Sequence, residues 1–121
     1  IYDEEYHLTR SKSRPEWVNE LYFSLKDRIL NLGEVEIQYR GNYISFRRKR
    51  PFIDVIFWNK GLVLMLNLKK GTLNDTNSLT KDISGVGHWG NGDYQITMDN
   101  KTDLDYVMFL INQSYKYQEN E

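Results

Sequence analysis

Apolar residues recur at helical spacing twice along the chain and at alternate positions in between, a pattern that predicts two helices enclosing a set of strands. Val18, Leu21, Tyr22, Leu25, Ile29 and Leu32 form the first helical stripe. Ser13-Arg14-Pro15-Glu16 precedes it as a start signal. Ser13 is placed to cap, Pro15 suits the first turn, and Glu16 holds the capping-box position. Gly33 is expected to end the helix as its C′ residue. From Glu34 the period becomes two: Val35, Ile37 and Tyr39 alternate with Glu36, Gln38 and Arg40. Gly41-Asn42 marks a turn, and Tyr43–Arg47 follows with Ile44 and Phe46 on one face.

Arg48-Lys49-Arg50-Pro51 reads as the next turn, because proline removes a ladder donor. Phe52–Trp58 is the third strand, Asn59-Lys60-Gly61 a tight turn, and Leu62–Leu68 the fourth. That fourth run is apolar on both faces, so it is expected at the centre of the sheet. Lys69–Thr80 is polar and irregular, with a short turn near Leu79–Ile83. Tyr94–Met98 is the fifth strand. Thr102-Asp103-Leu104-Asp105 opens the last helix with anionic residues at its positive end, and Leu104, Val107, Met108, Ile111 and Tyr115 form its stripe. The fold class is therefore α+β: a mainly antiparallel five-stranded sheet with N- and C-terminal helices. Residues 1–12 are read as an approach segment, 13–118 as the single domain and 119–121 as a tail.

Composition narrows the picture without naming a chemistry. A chain of 121 residues fits one domain, and its 40% hydrophobic and 27% charged residues place it among ordinary globular proteins. It has no cysteine, which excludes disulfides, thiolate catalysis and cysteine-bound zinc. No apolar run approaches the roughly 20 residues of a membrane span, so no membrane partner is expected and cytoplasmic residence is the default. The sequence starts at Ile1 without a methionine and is read as a piece of a longer protein. Net charge is −1, but its distribution is uneven. Gln38–Lys60 carries Arg40, Arg47, Arg48, Lys49, Arg50 and Lys60 against Asp54 alone, whereas Asp99–Glu121 carries five acidic residues against Lys101 and Lys116.

Two segments carry candidate chemistry. The basic run Arg47-Arg48-Lys49-Arg50, close to Tyr43 and Trp58, is suited to nucleic acid or another anion: the cations meet phosphates and the aromatics stack on unpaired bases. A solvated hairpin turn, or an anionic protein partner, explains the same residues. The second segment is Gly85-Val86-Gly87-His88-Trp89-Gly90-Asn91-Gly92-Asp93. Four glycines in eight residues imply positive φ or close backbone approach at several positions. One reading makes it structural, Trp89 plugging the edge of the core and Asp93 bonding backbone amides. The other makes it a nest of amides for an anion, with His88 as donor or proton carrier. It matches neither the phosphate-cradling loop nor the dinucleotide fingerprint, so no cofactor is expected. His7 and His88 show no metal-ligand spacing, although Asp54 with Asp75, Asp82 or Asp93 could gather a magnesium ion. Ser84-Gly85-Val86-Gly87 lacks a nucleophile elbow, and no complete catalytic constellation is present.

Leu32-Gly33, Tyr43-Ile44-Ser45-Phe46, Phe52-Ile53-Asp54-Val55, Leu66-Asn67-Leu68, the string Asp82–Tyr94 and Asp105-Tyr106-Val107 occur in that order. Together they resemble a prokaryotic family of unknown function that carries the automatic label "predicted transport protein". The resemblance covers roughly Tyr6 to Tyr117. It implies a C-terminal appendage of larger proteins, among them modification-dependent restriction proteins of the GmrSD type and nuclease-associated proteins. The expected role is noncatalytic: an accessory module contacting nucleic acid or a sister domain. A structural interaction or dimerisation domain is the alternative, and a hydrolase using His88 and Asp93 is a third reading. The resemblance brings no catalytic residues with it.

Overall fold

A computed structural model of the chain describes residues 1–86 and 92–120. Ten elements follow one another: α1 (Glu4–Thr9), α2 (Glu16–Leu30), β1 (Glu36–Tyr39), β2 (Ile44–Arg47), β3 (Pro51–Trp58), β4 (Gly61–Leu66), β5 (Thr80–Asp82), β6 (Tyr94–Met98), α3 (Leu104–Tyr117) and a terminal 3-10 turn at Gln118–Asn120. The strands form one antiparallel sheet in the order β1-β2-β3-β4-β6-β5. The α+β class and the terminal helices hold, and β4 lies inside the sheet as its two-sided apolarity requires. The sheet has six strands rather than five. The additional strand, β5, has only three residues, Thr-Lys-Asp, which show no apolar alternation and pair with β6 on one side alone.

Cross-strand partners share a face, and the register sorts the side chains cleanly. Ile44, Val55, Leu64 and Ile96 line up across four strands, as do Phe46, Ile53 and Leu66 across three, and all seven are buried. This face meets α2 and α3. Helix α2 contributes Val18, Tyr22, Leu25 and Ile29, all fully buried at three- and four-residue steps. Each such side chain stabilises by about 1.5–3 kcal/mol on burial. Helix α3 adds Val107, Leu110, Ile111 and Tyr115. Its N-cap is Asp103, whose carboxylate accepts from the amides of Asp105 and Tyr106.

The caps of α2 differ from expectation. Pro15 occupies the N-cap without a side-chain bond, and Ser13 takes no capping role. Proline's fixed φ supplies the extended entry, so no side-chain acceptor is needed to start the helix. At the other end Asn31 is the C-cap, which leaves Gly33 two residues beyond it. Residues 1–12 contain α1, which is packed: His7 is buried, its ring 6.0 Å from Phe57 and near-parallel to it. The Nε2 of His7 lies 2.7 Å from the Arg40 carbonyl and donates to it.

A bulge sets up the basic turn. Phe46 pairs with Ile53 but Arg47 pairs with Pro51, so Phe52 is an extra residue in β3. Its ring is buried, edge-on to Tyr115 of α3 at 5.1 Å. The start of β3 is thereby tied to the end of α3, and residues 48–50 are carried with it.

Candidate anion-binding face

The four cations of the basic run separate at the bulge. Arg48, Lys49 and Arg50 turn toward the C-terminal end of α3. Arg48 donates from Nη1 to the Tyr115 carbonyl at 3.2 Å, lies 3.4 Å from a Glu119 carboxylate oxygen, and covers the Tyr115 ring at 4.4 Å. A cation on the last carbonyls of a helix complements the negative end of its dipole. Gln118, buried, accepts at Oε1 from the amides of Lys49 (2.8 Å) and Arg50 (3.2 Å) and donates from Nε2 to the Arg50 carbonyl. The Arg50 guanidinium stands 5.9 Å from the Tyr117 ring. The turn is thus a clasp between hairpin and helix rather than a freely solvated loop.

Arg47 belongs to a different surface, the sheet face away from α2 and α3. Alternation puts Gln38, Arg40, Ser45, Arg47, Asp54, Ile56, Trp58, Val63, Met65, Gln95 and Thr97 there. Tyr43, one residue before β2, continues the register opposite Ile56. Gln38 Oε1 accepts from both Arg40 (3.0 Å) and Arg47 (3.1 Å), so a neutral amide bridges two guanidiniums. Ser45, Asp54 and Met65 are buried in the middle of this face, while Ile56 and Val63 are half-buried and Trp58 is exposed. Glu36, opposite Arg47 in register, is exposed.

Two further arginines, absent from the sequence expectation, stand at the end of the sheet beside the hairpin tips. Arg10 donates to the Gly41 carbonyl and covers the Tyr6 ring at 5.0 Å. Arg14 donates from Nη2 to the His7 carbonyl at 2.9 Å and covers Phe57 at 4.8 Å. Burial and the Arg10 charge lower the pKa of Arg14 from its ordinary value. With Ser11, Asn42, Ile56, Phe57, Trp58 and Asn59 they line a cavity of about 270 Å³. A second hollow of about 320 Å³ shares Ile56, Phe57 and Trp58 and runs along the sheet to Val63, Gln95 and Thr97. Lys60 stands 5.8 Å from the Trp58 ring. Among the described residues, Arg10, Arg14, Arg40, Arg47 and Lys60 have no carboxylate within ion-pair distance. Sequence gave one usable signal for the missed pair: Thr9–Arg14 holds Arg10, Lys12 and Arg14 with no acidic residue.

Of the glycine-rich segment, Gly87, His88, Trp89, Gly90 and Asn91 lie outside the described residues, and so do the readings placed on them. Gly92 has φ +90°, and a Cβ there would fall 2.1 Å from the Leu66 carbonyl oxygen, so β4 and this residue approach as only glycine permits. Gly85 has neither constraint. Asp93 accepts from the Lys70 amide at 2.9 Å, its own amide donates to the Leu68 carbonyl, and its carbonyl accepts from the Ile83 amide. Asp75 holds the Leu79 and Thr80 amides and the Tyr106 hydroxyl, Asp82 takes the Ser84 amide and Lys70, and Asp54 is buried in the sheet. Among the described residues no group of three or more His, Asp or Glu side chains could hold a metal ion. Nor does any described helix have the length and apolarity to cross a membrane.

Two helices on one face of a six-stranded antiparallel sheet, with Arg40 and Arg47 on the opposite face, define a small α+β domain. The chain belongs to the family described as "Domain of unknown function (DUF5655)", whose model matches residues 8–118. It is 40% identical over 117 residues to an uncharacterized protein of Haemophilus influenzae, covering 96% of this chain and 38% of that protein. The chain therefore spans well under half the length of this relative. No solved structure matches it.

Proposed function

We propose that this domain is a noncatalytic accessory module of a longer prokaryotic protein, acting in defence or DNA processing, and that it binds a nucleic-acid strand along the exposed rim of the sheet face opposite α2 and α3. The observation that carries the reading is the set of Arg10, Arg14, Arg40, Arg47 and Lys60, cations without carboxylate partners among the described residues, near the aromatic and aliphatic strip Tyr43, Ile56, Trp58 and Val63. Unpaired cations meet phosphates, and flat side chains on a sheet stack on unpaired bases. A chain occupying 38% of its relative is of a size suited to an appended module. Fluorescence anisotropy with labelled single strands and duplexes tests the reading. Single strands should bind more tightly than duplex, with affinity falling steeply as salt rises. Tyr43→Ala should lower single-strand affinity most. Salt-independent binding, or none to any nucleic acid by the longer protein, would overturn it.

A second reading has its own observation. Phe109 and Tyr117 on the outer side of α3 are exposed, and with Leu68, Thr72 and Lys116 they line a hollow of about 380 Å³. Exposed aromatics beside a cavity suit a sister domain or a second copy of the chain. Sedimentation of wild type and Phe109→Ser distinguishes these: a dimer lost in the variant supports self-association, and a monomer in both leaves the sister domain.

A further inference from the structure

We propose that the cavity between Arg10 and Arg14 binds a terminal phosphomonoester carried on a nucleobase-bearing unit, with Trp58 beside the base. The inference rests on the strand-binding reading for its location but specifies a chemistry that reading does not require. Two features lead to it. Two guanidiniums flank one hollow, and among the described residues no carboxylate is within ion-pair distance of either. The Nη1 of Arg14 is shielded from solvent and has no acceptor, since Nη2 alone is used, on the His7 carbonyl. A cation held away from water beside another cation is unfavourable until an anion arrives. A phosphomonoester carries close to two negative charges near neutrality, which matches two arginines, whereas an internal phosphodiester carries one.

The rest of the lining sets the class of the attached group. Trp58 is exposed and lines the hollow, which provides a flat apolar surface for a base. Asn42, Asn59 and Ser11 add polar groups able to donate or accept at the base or sugar. The volume of about 270 Å³, continued by the adjoining hollow of about 320 Å³, is of the size that holds one nucleotide. A free nucleoside monophosphate and the phosphorylated end of a strand present the same chemistry to it.

Calorimetric titration of the 121-residue chain with a nucleoside 5′-monophosphate, the parent nucleoside, inorganic phosphate, and short single strands bearing a 5′-phosphate or a 5′-hydroxyl tests the proposal. Expected is monophosphate binding about tenfold or more tighter than nucleoside or inorganic phosphate alone, since each supplies only one of the two contacts. Arg10→Gln, at a solvent-facing position, should weaken it about tenfold with the thermal midpoint unchanged. Trp58→Ala should weaken the monophosphate but not inorganic phosphate. A phosphorylated strand exceeding both its hydroxyl counterpart and the free nucleotide identifies a strand end as the occupant; parity of free nucleotide and phosphorylated strand identifies the small molecule. If a 5′-phosphate adds nothing to either ligand, or if both variants bind as wild type, the pocket proposal is overturned. Strands that bind equally well with either end, together with a nucleotide no tighter than its nucleoside, sink the pocket alone, whereas nucleotide binding without strand binding sinks the strand reading and keeps the pocket.

Discussion

Arg47 and Arg48 are neighbours in the chain and belong to opposite economies of charge. Arg48 is partly buried, held by a helix carbonyl, a carboxylate and a tyrosine ring. Arg47 donates to the amide oxygen of Gln38, which it shares with Arg40. The bulge at Phe52 separates them, rotating residues 48–50 toward α3 while Arg47 stays on the sheet. A run of basic residues is therefore no measure of a binding surface. What matters is which charges the fold has already engaged, and here the guanidiniums of Arg48 and Arg50 pack against α3. The face opposite the helices instead carries Arg40 from the same basic segment, and Arg10 and Arg14 join at the end of the sheet from residues that the sequence reading left apart.

The strongest way to break this division is through Gln118. It is buried and serves three backbone groups of the turn, so Gln118→Ala should cost on the order of 2 kcal/mol in urea unfolding. Strand affinity of the folded fraction should stay at the wild-type value. A fall in affinity with unchanged stability would return the turn to the binding surface. Arg48→Ala is the next test, at about 1 kcal/mol of stability for the lost helix-end and ring contacts, again with affinity intact.

Much of the fold was legible because apolar periodicity reports burial directly. Ile44 and Phe46, the two-sided run of β4, and the stripes of α2 and α3 all lie where their spacing puts them. Strand β5 was not legible, since a three-residue polar edge strand is specified by its partner β6 and not by its own pattern. The α2 start misled because Ser13 and Glu16 match a capping box that Pro15 makes unnecessary. Half of the candidate site was also out of reach. Tyr43, Arg47 and Trp58 could be found by inspection, but Arg10 meets Gly41 across 31 residues, and only the docking of α1 on the hairpin tip creates that contact.

Substitutions on the open face should show the opposite signature to those in the clasp. Arg40→Gln and Arg47→Gln should each weaken strand binding a few-fold and lower the slope of log affinity against log salt by about one. Stability should stay within about 0.5 kcal/mol, as both guanidiniums make contacts on a solvent-facing surface. A slope that does not change would mean that neither arginine meets a phosphate.

The smallest effect expected is a dependence on pH that belongs to one region alone. His7 is buried behind Arg10 and Arg14 and donates from Nε2 to the Arg40 carbonyl. Burial lowers its pKa, the bond to Arg40 works in the other direction, and the Arg10 and Arg14 charges add to the lowering while Asp3 opposes it. The unfolded chain therefore takes up this proton at a higher pH than the folded one. Its contribution to stability is complete above the unfolded value of about 6.5 and is lost as pH falls through that value toward the folded pKa. Thermal midpoints should decline between about pH 7.5 and 5.5, a window above the carboxylate range. Glu4, held below its ordinary value by Lys26 and Tyr22 against the opposing effect of burial, becomes limiting only at more acidic pH. His7→Gln, which can still donate to a carbonyl, should flatten the decline, whereas Arg48→Ala should leave its slope as it is. An equal slope in the His7 variant would remove the imidazole as the cause.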